Sequence, residues 1–212
     1  GRYVVRQPWK MIPPSMPNNK QIALRRFASL TQKFRKDPEY FAEYKKSIDK
    51  YVMNEDIAEK VPLDEIQTED GQCNYLPHHS VDHKRKELRV VFDTAIRTQG
   101  KSLSTEIYQG PDLLQSLIGV FMRFRLNPIA VIGDITQFYH SVGIDPRDYN
   151  FQRFFWFEQG HPDSRIIEFR LKIHIFGGIS SQSCSILARD ETIHIAANSG
   201  KLMTDEAIKT KR

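Results

Sequence analysis

Near the start of the chain, Ile22, Leu24, Phe27, Leu30 and Phe34 recur at helical spacing, with Arg25, Arg26, Lys33 and Arg35 mostly elsewhere around the wheel. The pattern predicts an amphipathic helix beginning at Lys20, capped by Asn18 or Asn19. Asp37-Pro38 ends it and opens a second helix, proline being suited to a first helical position. Tyr40, Phe41, Tyr44, Ile48, Tyr51 and Val52 form its apolar face, and it runs to about Met53. An aromatic stripe of this kind reads as packing between helices rather than as a platform for bases. Residues 1–17 hold Pro8, Pro13, Pro14 and Pro17 and read as an extended arm.

Further on the periods shorten. Residues 54–87 are irregular and polar, 88–92 read as a short strand, and 94–106 as a polar loop. Gly110-Pro111-Asp112 predicts the start of a helix that buries Leu113, Leu114, Leu117, Ile118, Val120, Phe121 and Phe124. The apolar run at 129–134 predicts a central strand, buried on both faces, that carries Asp134 to the edge of a site. Asp145-Pro146 opens a turn or short helix leading into a strand at 151–157. Residues 166–175 read as its antiparallel neighbour, and a last helix spans about 180–197. No internal repeat or low-complexity segment interrupts the series. The irregular alternation predicts α+β: a small antiparallel sheet packed on helices and preceded by two N-terminal helices.

Composition narrows the class. A chain of 212 residues with 40% hydrophobic and 27% charged residues fits a soluble, globular protein of one domain or two small lobes. No stretch approaches the roughly 20 apolar residues of a membrane helix, so no membrane partner is expected. The opening Gly1-Arg-Tyr-Val-Val-Arg6 lacks both methionine and a signal-peptide core, and reads as a cut from a longer polypeptide. Two cysteines are too few for a disulfide framework and point to a reducing, intracellular setting. The net charge of +5 is compatible with phosphate backbones without indicating them. More telling is the cluster His83-Lys-Arg-Lys86, Arg89, Arg97 and Lys101, which reads either as a solvated basic turn or as a phosphate contact.

Five motifs occur in order: Tyr75-Leu-Pro-His-His79, Leu88-Arg-Val-Val-Phe-Asp93, Gly110-Pro-Asp-Leu-Leu-Gln115, Ala130-Val-Ile-Gly-Asp134-Ile-Thr-Gln-Phe-Tyr139, and Asp145-Pro-Arg-Asp-Tyr-Asn-Phe-Gln-Arg-Phe154. Together they resemble the reverse transcriptase region, fingers and part of the palm, of Bel/Pao-class long-terminal-repeat retrotransposon polyproteins. Gly1-Arg-Tyr, Gln7-Pro-Trp9 and the two leading helices resemble the stretch that precedes it, so the likeness covers essentially the whole chain. It divides the chain into an arm (1–17), an N-terminal helical segment (18–70) and a partial polymerase domain (71–212).

The resemblance implies nucleotidyl transfer, in which a primer 3′-hydroxyl attacks the α-phosphate of a deoxynucleoside triphosphate on an RNA or DNA template. Two Mg²⁺ (or Mn²⁺) ions assist, held by oxygen ligands in the complete enzyme. By resemblance Asp134 is the first catalytic carboxylate and the Ile135 carbonyl a further metal ligand. Tyr139 is the aromatic that lies under the deoxyribose and excludes a 2′-hydroxyl. Arg89 is the fingers arginine on the triphosphate, a role that suits a permanently charged, bidentate group. Lys84 or Lys86 is the fingertip lysine, and Asp93 a structural partner of the fingers. Phe176-Gly-Gly-Ile-Ser-Ser-Gln182 falls where retroviral enzymes carry Leu-Pro-Gln-Gly, with Phe176 in place of the glutamine, Gly177 in place of the glycine, and Gln182 where a proline is expected. The implied partners are template-primer, deoxynucleotides and the connection, RNase H and integrase parts of a polyprotein, in cytoplasmic retroelement particles.

The family's Tyr-x-Asp-Asp hairpin, bearer of the other two carboxylates, is missing. After the last helix only Met203-Thr-Asp205-Glu206 offers an acidic pair. The chain therefore reads as ending before the hairpin, and is expected to lack polymerase activity by itself. Two other classes stay open. One is a nucleic-acid-binding remnant without catalysis; the other is a small zinc protein built on Cys73, His78, His79 and His83. His140, His174 and His194 read as packing groups.

Overall fold

The computed structural model describes residues 2–67, 71–81, 87–126, 128–129 and 131–199. It is mixed α+β, as the element order predicts. After a short strand β1 (Tyr3–Val5), helices α1 (Lys20–Lys36) and α2 (Pro38–Tyr51) form where the periodicity places them. Asp37 accepts a hydrogen bond from the Tyr40 amide at 2.9 Å, capping the end of α2 that Pro38 has already shaped. The aromatic stripe is core: Phe34 packs among Tyr40, Phe41, Tyr44, Trp156 and Phe157, and Tyr44 stacks on Trp156 at 5.9 Å.

The helices cover a three-stranded antiparallel sheet of order β2 (Ala58–Lys60), β7 (Ile166–Leu171), β6 (Arg153–Phe157). Every residue of β6 is buried, which explains a sequence as apolar as Phe-Phe-Trp-Phe. A separate hairpin pairs β3 (His78–Val81) with β4 (Arg89–Phe92). The short helix α3 (Leu103–Glu106) lies in the stretch expected as a loop, nucleated by a capping box between Ser102 and Thr105. Helix α4 (Leu117–Phe124), strand β5 (Val142–Ile144), which pairs parallel to β1, and helix α5 (Ser181–Asn198) complete the fold.

The structure overturns two expectations. The helix predicted from Gly110 forms only at α4, and none of its residues is buried. The central strand predicted at 129–134 does not form: its described residues carry no regular secondary structure, and Val131 is 87% exposed. An apolar run states what a segment needs, and among the described residues neither a flanking strand nor a covering layer meets that need.

Buried charge holds the sheet to its surroundings. Arg153, at 0% exposure, pairs with Glu168 at 3.2 Å and donates to the Glu65 carbonyl at 2.7 Å and to Asn150. Glu168 also meets Lys20 of α1 at 2.6 Å and accepts from the Tyr75 hydroxyl at 2.8 Å. Burial, followed by this carboxylate, pushes the Tyr75 hydroxyl far above its ordinary range.

The N-terminal arm is locked by one acid whose role the sequence does not reveal. Asp148, 1% exposed, accepts from the Gln7 amide and from the Trp9 indole, both at 2.9 Å. Trp9 then packs edge-on against Phe151 at 4.7 Å. Asp148→Ala leaves two buried donors unsatisfied and is expected to cost about 2–4 kcal/mol. Urea unfolding measures that loss, and a cost below about 1 kcal/mol would mean that water replaces the carboxylate.

Candidate functional site

The best-formed group of predicted site residues lies where two distant segments meet. Gln137 takes a left-handed conformation (φ 53°), and a 3-10 turn over 138–141 follows. The Ser141 hydroxyl fastens that turn by donating to the Phe138 carbonyl at 2.6 Å. Tyr139, half-buried, meets Phe176 edge-on with ring centroids 4.6 Å apart. His140 lies on the same ring at 6.4 Å, and Phe138 flanks Tyr139 at 5.8 Å. Phe176 keeps 53% of its surface open, so the pair forms an aromatic corner with one accessible wall.

Gly177 positions this corner. Its φ of +90° is one that side chains avoid, while a Cβ there would meet only the Phe92 carbonyl, in ordinary contact at 3.4 Å. The Thr94 hydroxyl donates to the Gly177 carbonyl at 2.7 Å, tying the turn to the end of β4. Helix α5 begins four residues later and packs against the 138–141 turn, β1 and β5. Burial lowers the His140 imidazole to about 4, with the nearby Arg2 charge adding to the effect. A ring held neutral in this way packs; it does not carry a proton at neutral pH.

The remaining predicted residues are more scattered. Asp134 and Ile135 are exposed on the chain just before the turn, and among the described residues Asp134 makes no hydrogen bond or ion pair. Asp134 is thus available to solvent, but it does not project from the sheet edge that the sequence suggested. Arg89 is exposed on β4 and likewise without an ionic partner among the described residues. It lies five residues, roughly 16 Å of strand, from the Thr94 contact with Gly177. Arg89 does not pair with Asp93, which instead binds Arg26 at 2.8 Å and so joins β4 to α1. Asp93 is thus a structural partner, but of α1 rather than of another fingers residue. Lys84 and Lys86, with Asp205 and Glu206, lie outside the described residues.

No family model matches the chain, and no curated protein does.

The donor set does not fit a pair of divalent cations. Among the described residues no three histidine, cysteine or acidic side chains gather as metal ligands, and Asp134 alone cannot neutralise two ions. The zinc alternative loses its central ligand. His78 donates from Nε2 to the Phe155 carbonyl at 2.9 Å, because a carbonyl only accepts. Its Nδ1 therefore accepts from the Tyr44 hydroxyl at 2.6 Å, and neither nitrogen is free. His83 lies outside the described residues. Asp148, the arm's anchor, is the important residue that sequence reasoning missed. Its only signal was Asp145-Pro146 upstream, where Asp145 caps the turn through the Arg147 amide at 3.0 Å.

Among the described residues no helix is long and apolar enough to cross a membrane.

Proposed function

We propose that this chain is the fingers and first part of the palm of a Bel/Pao-like reverse transcriptase, a nucleic-acid- and nucleotide-binding piece that does not polymerise by itself. The observation that supports this reading is the meeting of Tyr139 with Phe176, 37 positions apart in sequence. The resemblance assigns both to one deoxynucleotide pocket, and periodicity gives no reason for them to touch. The tether from Thr94 to Gly177 supports it further, since it joins the basic hairpin to that pocket. Asp134 stands five residues before Tyr139, open to solvent. Metal-assisted transfer would require two more carboxylates from outside the described residues, so the role proposed for this chain stops at binding.

The test is equilibrium binding of dTTP and its ribonucleotide counterpart 5-methyl-UTP, which differ only at the 2′ position, alone and with a primed RNA template. The intact chain is expected to favour dTTP; Tyr139→Ala, whose ring is the proposed barrier to a 2′-hydroxyl, is expected to bind the two alike. A preference unchanged by that substitution would remove the pocket. Template-directed extension of the primer by the 212-residue chain would overturn the claim that it does not polymerise.

A non-catalytic grip on a duplex is the second reading, favoured by Arg89 and Arg97, which are exposed and without ionic partners among the described residues. Arg89→Ala is expected to weaken duplex binding and to lower the slope of log affinity against log salt by about 1. An unchanged slope would take Arg89 off the phosphates.

A further inference from the structure

The most anomalous surface is apolar. Between Leu114 and Ile135 twelve apolar side chains are between 40% and 87% exposed, with Phe121 and Met122 on α4 and Val131 and Ile132 beyond it among them. Together they expose on the order of 1,000 Å², above the few hundred usual for a monomer's largest patch. The backbone is bare as well: among the described residues, no hydrogen bond joins residues 131–136 to any other segment. Unpaired peptide groups flanked by β-branched side chains are a template for another strand.

We infer that a second copy of this chain covers the face, the two chains pairing antiparallel through residues 131–133 about a twofold axis at Ile132. Three features favour a copy over a peptide or a charged partner. The exposed area matches the roughly 800 Å² per partner of a stable dimer, whereas one added strand would leave α4 uncovered. Residues 114–122 carry no charge, so nothing on that stretch selects an oppositely charged protein. An antiparallel strand edge is also complementary to itself, as an isologous contact requires. With Ile132 on the axis, Val131 faces the copy's Gly133, and the two Asp134 carboxylates stand about 13 Å apart, beyond strong repulsion. The inference does not depend on the polymerase reading.

Sedimentation equilibrium of the 212-residue chain tests it. The wild type is expected to be a monomer–dimer system, weakened at least tenfold by Ile132→Asp. Leu63→Asp, at a position 84% exposed on another surface, should leave it unchanged. Both replaced side chains are exposed, and far-UV circular dichroism checks that each variant folds. Ile132→Cys should form a disulfide-linked dimer on mild oxidation, because Cys73 and Cys184 are buried. A monomer at every concentration, a dimer indifferent to Ile132→Asp, or open-ended polymers would each overturn the pairing. A monomer whose 131–135 amides resist hydrogen exchange would place a segment of the same polypeptide there instead, and would overturn it equally.

Discussion

Glu168→Ala is expected to be the most damaging single substitution in this fold, costing about 3–5 kcal/mol. The loss would come less from a missing attraction than from what remains. Arg153 is fully buried and stays cationic, and its remaining partners, the Asn150 side chain and the Glu65 carbonyl, carry no charge. Lys20 and the Tyr75 hydroxyl lose their acceptor at the same time. A cost of that size is a large share of the total stability of a domain. Urea unfolding followed by tryptophan fluorescence would report it, since Trp156 lies in the same strand as Arg153. The double variant Arg153→Met with Glu168→Leu should recover much of the loss, because it removes both charges together. A single variant within about 1 kcal/mol of wild type would show that water solvates Arg153.

Mild acid should have the second-largest effect. Burial lowers His78 and His174, as well as His140, from about 6.5 to about 4. The sign follows from which state takes up the proton. As pH falls below 6.5 the unfolded chain protonates these rings while the folded chain does not, so stability drops until about pH 4 and then levels off. For fully buried His78 the drop amounts to about 3 kcal/mol. His174 adds to it, its Nε2 donating to the Val5 carbonyl while Nδ1 lies buried without a partner among the described residues. Carboxylates with lowered values, Glu65 held by Asn150 and Arg170 among them, begin to lose their stabilisation as pH falls through the ordinary carboxylate range and lose the rest below it. Denaturation midpoints at pH 7 and pH 4.5 measure the histidine contribution, and His78→Gln should reduce the difference. Equal midpoints would mean that the rings are protonated, or solvated, in the folded state.

Sequence pattern was a good guide wherever an element packs on something within the chain. Phe27, Phe34, Tyr44 and Ile48 are buried on α1 and α2 as their spacing required. Residues 166–171 pair with 153–157 as their alternation suggested. The same logic failed at 129–134, because hydrophobic periodicity records demand for burial and is silent about supply. Strands β1 and β5, three residues each, are too short to show a period. Part of the candidate site was legible. Tyr139 and Phe176 were named from likeness and do meet, whereas Arg89 and Asp134 were named and neither makes a hydrogen bond or ion pair to that corner among the described residues. Asp148 could not have been found, since an acid buried beneath an arm looks, in sequence, like any other acid in a turn.

The hydroxyl of Thr94 has a mechanical consequence. It clasps Gly177 directly after the basic hairpin ends, and Gly177 has no side-chain slack with which to absorb a pull. If the base of the hairpin shifts, that clasp makes the turn bearing Phe176 shift with it, or else breaks. The base of the hairpin and the turn that carries the aromatic wall are thus tied through that bond.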